Sequence, residues 1–334
     1  MTNWPKVSLT MFTLNGGKGV ERCLESVRKQ VYPKDKIEII VIDNNSTDDS
    51  VDIAKKYTNK IVVNSRDGYL NRAEAMRMAT GDFVFMILEQ DIELRSKYFL
   101  QKMVSPLIKD ERLVASFTRD YPRRDQPWVT RFISYHPIQC DPLFEYLTPS
   151  LESTIVEKKQ NYFICKFIEG KTPPVTHMLF RVSALKKSGV WEQERDADHD
   201  TVIKLIKFGY NLFAYVPDAG DYHYHAKNLK ELIRKRIRNL NRHYFIYHET
   251  TQYKWVDINN KQEVIKMIIW ILYANSLIFP AIRGFIRFIK YKDWALLLEP
   301  VIAVSVTDVL LWTFLRNKAG RKIITNSLRS LILK

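Results

Sequence analysis

Glu89 and Asp91 stand two residues apart at the end of the run FVFMILEQDIEL, residues 83–94. Its apolar part has the composition of a strand crossing the middle of a sheet. Acids at its end would stand at the sheet's carboxyl edge, where open α/β folds bind ligands. Side chains two apart on an extended chain point to the same side. Such a pair could hold a hard divalent cation, and through it a diphosphate. The alternative is an ordinary strand end with solvated acids, and the neighbouring elements must decide. Asp198 and Asp200 open the segment ADHDTVIKLIKFGY, residues 197–210. Carboxylates at a helix start also serve simply to complement the macrodipole. His223 and His225 share a face if their segment is extended. An H-x-H pair beside a basic helix is a candidate ligand pair, although H-x-H alone is not a metal signature.

The elements that must position these groups follow in order. Residues 7–13 (VSLTMFT) read as a strand, and Asn15-Gly16-Gly17 as a loop. Residues 19–30 have helical spacing, with Val20, Leu24 and Val27 on one face. A second strand, residues 37–42, ends at Asp43, and Ser46 reads as the N-cap of a helix reaching Tyr57. A short strand at 61–63 and a helix at 70–79 follow, with Gly81 as terminator. This alternation predicts a parallel α/β sheet. Asn15, Asp43 and Asp91 would then gather along its ligand edge. Neither GxGxxG nor GxxxxGK[ST] occurs, so no dinucleotide fingerprint or P-loop is indicated.

An ordered series of short motifs in this region resembles the family 2 glycosyltransferases of the GT-A fold. Phe12-Thr13-Leu14-Asn15 stands where that family has a P-T-Y-N-like strand end, and Asp43-Asn44-Asn45-Ser46-Thr47-Asp48 where it has D-D-G/N-S-T-D. LESVRKQVYP at 24–33 matches L-x-S-x-x-x-Q-x-Y-P, and Arg72 with Ala79-Thr80-Gly81-Asp82 matches A-R-N…A-x-G-D. Glu89-Gln90-Asp91 occupies the D-x-D position. Gly81 lies about one residue further from this motif than the family's usual spacing, which a bulge or a one-residue shift of the motif would accommodate. Downstream, Gly189-Val190-Trp191-Glu192 is similar to G-G-F-D/E, and residues 197–210 to E-D-x-D-L-x-x-R-x-x-x-x-G-Y, with Ala197 and Lys204 in place of the usual Glu and Arg.

The resemblance implies an inverting sugar transfer from a nucleotide-sugar, a UDP-sugar first and a GDP-sugar second. Asp198 falls on the catalytic acidic position, as general base. Nucleotide-sugar contacts are implied at Thr13, Asn15, Asp43, Asn44, Arg72 and Asp91. A divalent cation, Mn2+ or Mg2+, is implied at Asp91 with Glu89 and a downstream histidine, taken as His225. The implied acceptor is a lipid-linked glycan or polysaccharide.

The tail differs in class. Residues 264–282 and 294–315 are apolar runs about long enough to span a bilayer, flanked by Trp, Tyr, Lys and Arg. A buried helical hairpin of a soluble domain is the alternative. With a cytoplasmic catalytic domain, two full spans would leave the connector's Arg283, Arg287, Lys290 and Lys292 outside, against the positive-inside rule. Shallow, interfacial or re-entrant helices fit better. The net charge of +15 and the basic segment 227–242 beside apolar runs favour a membrane surface over nucleic acid. Three scattered cysteines predict no disulfide framework or zinc site. A strand-like segment beginning at Val7 predicts no signal peptide.

The expected organisation is a GT-A domain at 1–225, with a nucleotide half 1–118 and an acceptor half 119–225. Basic and hydrophobic helices at 226–334 would hold it at the cytoplasmic face of the membrane. Two other classes fit less of the chain. A nucleotidyltransferase would use Asn15–Gly19 as a glycine-rich loop. A non-catalytic basic binder would explain the replacements at Glu89 and Ala197.

Overall fold

The structure, a computed structural model, describes residues 4–136, 138, 141–195, 199–247, 256 and 260–332. The chain forms two compact units, one of Met1–Tyr121 with Ser150–His223 and one of Pro122–Pro149 with Tyr224–Lys334.

The first unit holds every strand among the described residues. In chain order these are β1 (Val7–Thr13), β2 (Ile37–Asp43), β3 (Ile61–Val63), β4 (Phe83–Glu89), β5 (Ile92–Leu94), β6 (Ala115–Phe117), β7 (Ile155–Lys158), β8 (Phe163–Lys166), β9 (Met178–Arg181), β10 (Leu212–Tyr215) and β11 (Asp221–His223). Nine of them form a sheet in the order β3-β2-β1-β4-β9-β6-β10-β8-β7. The pairings from β3 to β4 are all parallel. β9 inserts antiparallel between β4 and β6, and the far edge is antiparallel as well. The helix-flanked α/β sheet is the one the motif order predicts; its parallel parts are β3-β2-β1-β4 and β6-β10, and its other pairings are antiparallel.

Register makes the functional edge. Val7 pairs with Ile37 and Thr13 with Asp43, while Phe12 lies opposite Glu89. Three neighbouring strands therefore end level. The apolar residues of β1, β2 and β4 are buried against the helix Lys18–Arg28, whose Val20, Cys23, Leu24 and Val27 face the core. The extra residue before the acidic motif is absorbed in β4. The pairing of β1 with β4 jumps from Leu9–Phe85 to Met11–Leu88, a bulge that aims the strand end without shifting the motif. The Thr10 hydroxyl holds it by donating to the carbonyls of Phe85 (3.2 Å) and Met86 (2.8 Å).

The apolar run ends as a strand at Glu89, the chain turns at Gln90–Asp91, and β5 leaves the main sheet to pair with β11. One local reading changes. Ser46 caps no helix, because the helix Ser50–Ala54 begins four residues later. The Ser46 hydroxyl donates instead to Asp43 (2.6 Å).

The second unit is helical, with Phe132, Trp270, Leu296, Ile302 and Val306 in its core. It takes in residues 122–149, which read in sequence as part of the acceptor half. The helix Trp128–Ser134 explains this: its side chains are largely buried, Thr130 exchanges hydrogen bonds with Ala226, and Arg131 makes a two-pronged pair with Asp293 (2.9 and 3.0 Å). The 23 residues Trp294–Arg316 form a stretch long and apolar enough to cross a membrane, 18 of them in a row having a mean hydropathy of 1.8. It is consistent with membrane association. The run at 264–282 is not one rod. The helices Lys261–Asn275 and Ile278–Tyr291 meet at 77°. The break falls at Leu277, whose φ is 58°, and not at Pro280, which sits in a first turn where proline is tolerated.

Candidate active site

The level ends of β1 and β2 carry a tightly bonded loop. Asp43 is fully buried and accepts from the backbone N–H (2.7 Å) and hydroxyl of Ser46. Asn15, at φ 50°, donates its N–H to Ser46 Oγ (2.8 Å) and accepts from the Thr47 N–H (2.8 Å). Asn44 turns its amide toward the carbonyls of Asn64 and Arg66, 3.1 Å from each. The Thr13 hydroxyl donates to Gln90 Oε1 (2.7 Å), which also accepts the Leu14 N–H (3.0 Å). Thr13, Asn15, Asp43 and Asn44 thus come together, and each also shapes the loop. The glycines here serve close approach. A Cβ on Gly16 would lie 2.3 Å from Gln90 Oε1, and one on Gly19 would lie 2.6 Å from the Gln90 carbonyl oxygen. That packing accounts for Asn15–Gly19 without a phosphate-cradling role.

The acidic turn meets a histidine through the small second sheet. In the antiparallel pairing of β5 with β11, His223 lies opposite Ile92, next to Asp91. Its Nε2 is 3.5 Å from Asp91 Oδ1, and its Nδ1 faces Asp120 Oδ2 at 3.8 Å. Glu89, Asp91 and His223 each offer a ligand atom, all within 4.8 Å of one another. Two carboxylates and an imidazole suit Mn2+ or Mg2+. The carboxylate of Asp120 lies on the far side of the imidazole, where it favours the charged ring. The histidine that fits is His223 rather than His225. His225 belongs to the second unit, where its carbonyl accepts from Lys235 Nζ (2.6 Å).

Behind this triad lies a group that sequence reading missed. Asp120, His177 and His223 form a second set within 4.8 Å, all buried. His177 Nδ1 lies 2.6 Å from Asp221 and 3.4 Å from Asp120. The bridge from Asp120 to Asp221 joins the acids' backbones. His177 has φ 43°, a conformation that costs an ordinary residue roughly 1–2 kcal/mol. Asp221 to His225 stood out in sequence as an H-x-H segment; Asp120 and His177 carried no local signal.

Charge outweighs burial at the two histidines. Burial lowers the pKa of His223, but Asp91, then Asp120 and Glu89, raise it to about 9. Burial likewise opposes the Asp221 and Asp120 charges that raise His177. Asp221 itself is pushed above the usual carboxylate range, chiefly by burial, against the pull of His177.

Arg72 joins the edge as expected. Its Nη2 donates to Glu89 Oε1 (2.9 Å), and its guanidinium lies over Phe12 (5.7 Å) and Tyr69 (5.8 Å). Glu89 is therefore paired with Arg72, as Asp91 is with His223. Arg195 lies over the same Tyr69 ring (5.5 Å) and pairs with Asp67 (3.1 Å). Gln193 donates to Thr201 Oγ1 (2.9 Å) and accepts from Lys204 Nζ (2.7 Å), so Lys204, at the usual arginine position, ties the helix His199–Lys207 to Gln193. Asp198 itself lies outside the described residues.

The sheet and its acidic edge define the class. Residues 8–188, more than half of the chain, match the family described as Glycosyl transferase family 2, and the chain belongs to that family. It is classed as a glycosyltransferase. A poly(ribitol-phosphate) beta-glucosyltransferase of Bacillus spizizenii is 34% identical over 94 residues, 26% of this chain and 15% of that protein. The poly(ribitol-phosphate) beta-N-acetylglucosaminyltransferase TarS of Staphylococcus aureus is 33% identical over 93 residues, 26% of this chain and 16% of TarS. The probable glycosyltransferase YdaM of Bacillus subtilis is 24% identical over 252 residues, 71% of this chain and 55% of YdaM. The matched stretch thus spans less than two thirds of each of these relatives. Among solved structures, the mannosyltransferase PcManGT from Pyrobaculum calidifontis, in complex with GDP-Man and Mn2+, superposes with a TM-score of 0.48 at 17% identity, covering 99% of this chain and 75% of that one.

Proposed function

We propose that the protein transfers a sugar from a nucleotide-sugar, a UDP-sugar first, to an acceptor hydroxyl with inversion at the anomeric carbon. The observation that carries this is the meeting of Glu89, Asp91 and His223 at the carboxyl edge of the parallel half-sheet. Asp91, with His223 and Glu89, would hold a divalent cation, with Asp120 facing the other nitrogen of the His223 ring. When bound, that cation neutralises charge developing on the departing diphosphate. Arg72 stands beside Glu89 on the diphosphate side. Thr13, Asn15, Asp43 and Asn44 shape the loop that receives the base and ribose. Asp198, on the family's catalytic acidic position and just ahead of the helix His199–Lys207, takes the proton of the attacking hydroxyl as general base.

The acceptor is a lipid-linked glycan or polysaccharide, reached from the cytoplasmic face of the membrane. The apolar stretch Trp294–Arg316 and the basic helix Leu229–Asn239 support that location. The names of the poly(ribitol-phosphate) relatives support a polymer acceptor.

A thermal-shift screen of sugar nucleotides with and without Mn2+ tests the donor, because ligand binding raises stability by mass action. Asp198→Asn should abolish transfer and leave the donor shift intact. Near-normal turnover in that variant would remove Asp198 as base.

A further inference from the structure

The helix Ile278–Tyr291 carries its polarity reversed. Phe279, Ile282, Phe285, Ile286 and Ile289 are all at least half exposed. Its arginines turn the other way. Arg283 pairs with Glu299 (2.5 Å) and Glu145 (2.6 Å). Arg287 pairs with the fully buried Glu299 (3.2 Å), reaches His136 Nε2 (3.2 Å) and lies over the Phe132 ring (5.7 Å). A helix facing water does the opposite, burying its apolar stripe and exposing its charges. Close packing holds the arrangement: a Cβ on Gly284 would lie 2.5 Å from the Leu296 carbonyl oxygen.

We propose that this helix, with the outer face of Lys261–Asn275, lies within one leaflet of an anionic bilayer as a re-entrant hairpin, its apolar face covered by acyl chains. Ile268, Ile269 and Leu272 continue the apolar surface on the first helix. Length excludes a full span by either arm. Helices of 15 and 14 residues reach about 22 and 21 Å at a 1.5 Å rise, short of a hydrocarbon core about 30 Å thick. The 77° bend at Leu277 keeps the two arms from adding up to one rod.

Charge identifies the occupant as lipid. Glu145 and Glu299 neutralise Arg283 and Arg287 from inside, so these arginines face no headgroups. The exposed cations at this end are Lys290 and Lys292, set beside the exposed aromatic rings of Tyr291 and Trp294. Lysine with Trp and Tyr at the margin of an apolar surface is the composition of a headgroup-level rim. The proposal stands independently of the donor-site reading.

Two labelled full-length proteins test it in vesicles of phosphatidylcholine and phosphatidylglycerol, in a Cys140→Ser background where Cys23 and Cys165 are buried. An environment-sensitive fluorophore on Ile286→Cys should shift to the blue on adding vesicles and be quenched by lipids brominated in mid-chain. Lys292→Cys should react with a membrane-impermeant maleimide from the side on which protein was added. Unquenched Ile286→Cys fluorescence would overturn the proposal. So would a blue shift without vesicles, which marks a face closed by a second copy, or a Lys292→Cys reachable only from the vesicle lumen, which marks a span.

Discussion

Cation binding at the acidic edge should release a proton, and His223 should be its source. The carboxylates of Asp91, Asp120 and Glu89 raise this imidazole to about 9 despite its burial. At pH 7 about one molecule in a hundred carries the neutral ring that a metal needs. Displacing the proton there costs two pH units, about 2.7 kcal/mol. Because the pKa is raised, competition is strong below 9 and fades as pH approaches it. Apparent Mn2+ affinity should therefore climb about tenfold per pH unit from 7 to 8.5, with close to one proton released per ion. Calorimetry in buffers of different ionisation enthalpy counts that proton. His223→Gln keeps Glu89 and Asp91 but should lose most of the slope and the proton. A flat profile in the wild type, or the full slope retained in His223→Gln, would refute the assignment of His223 as ligand.

Two further outcomes concern the scaffold, one at Glu38 near the opposite end of β2 and one at Gly19 beside the acidic turn. Glu38 is nearly buried and accepts from Ser8 (2.5 Å), Lys60 (2.5 Å) and Thr80; these bonds outweigh burial and hold its pKa down at about 2. A depressed carboxylate stabilises the fold above its unfolded pKa and loses that contribution as pH falls toward 2, here about 3 kcal/mol. Urea melts between pH 5 and 2 should show the loss in the wild type and a much flatter profile in Glu38→Gln. Gly19→Ala would press a methyl against the Gln90 carbonyl oxygen at 2.6 Å. The helix Lys18–Arg28 must shift to relieve it, at about 1–3 kcal/mol of stability. A denaturant midpoint unchanged from wild type would contradict that contact.

Most of the parallel half-sheet was legible because its strands are rich in apolar and β-branched residues and the helices between them carry apolar residues at helical spacing. Even the extra residue before Glu89 was visible as a spacing, and the bulge in β4 is its structural form. The histidine was not legible. His223 and His225 are equivalent by alternation, and only the register of β5 against β11, which sets His223 opposite Ile92, chooses between them. Asp120 and His177 flank β6 and β9, neighbours in the sheet that lie far apart in sequence, so no local pattern links them. Residues 122–149 carry scattered aromatics among charges; their place in the second unit depends on partners such as Ala226 and Asp293, about a hundred or more residues away. The bend in the apolar run 264–282 falls at Leu277, a residue with no breaker signature.

The central claim is that the acidic turn at the end of β4 receives the donor's diphosphate together with a divalent cation. The most direct measurement is the affinity for UDP, with and without Mn2+, in the wild type and in Asp91→Asn. Mn2+ should tighten UDP binding about tenfold or more in the wild type, a coupling that works in both directions. It should have no effect in an Asp91→Asn protein that melts at the wild-type temperature. Equal Mn2+-linked tightening in the two proteins would contradict the account.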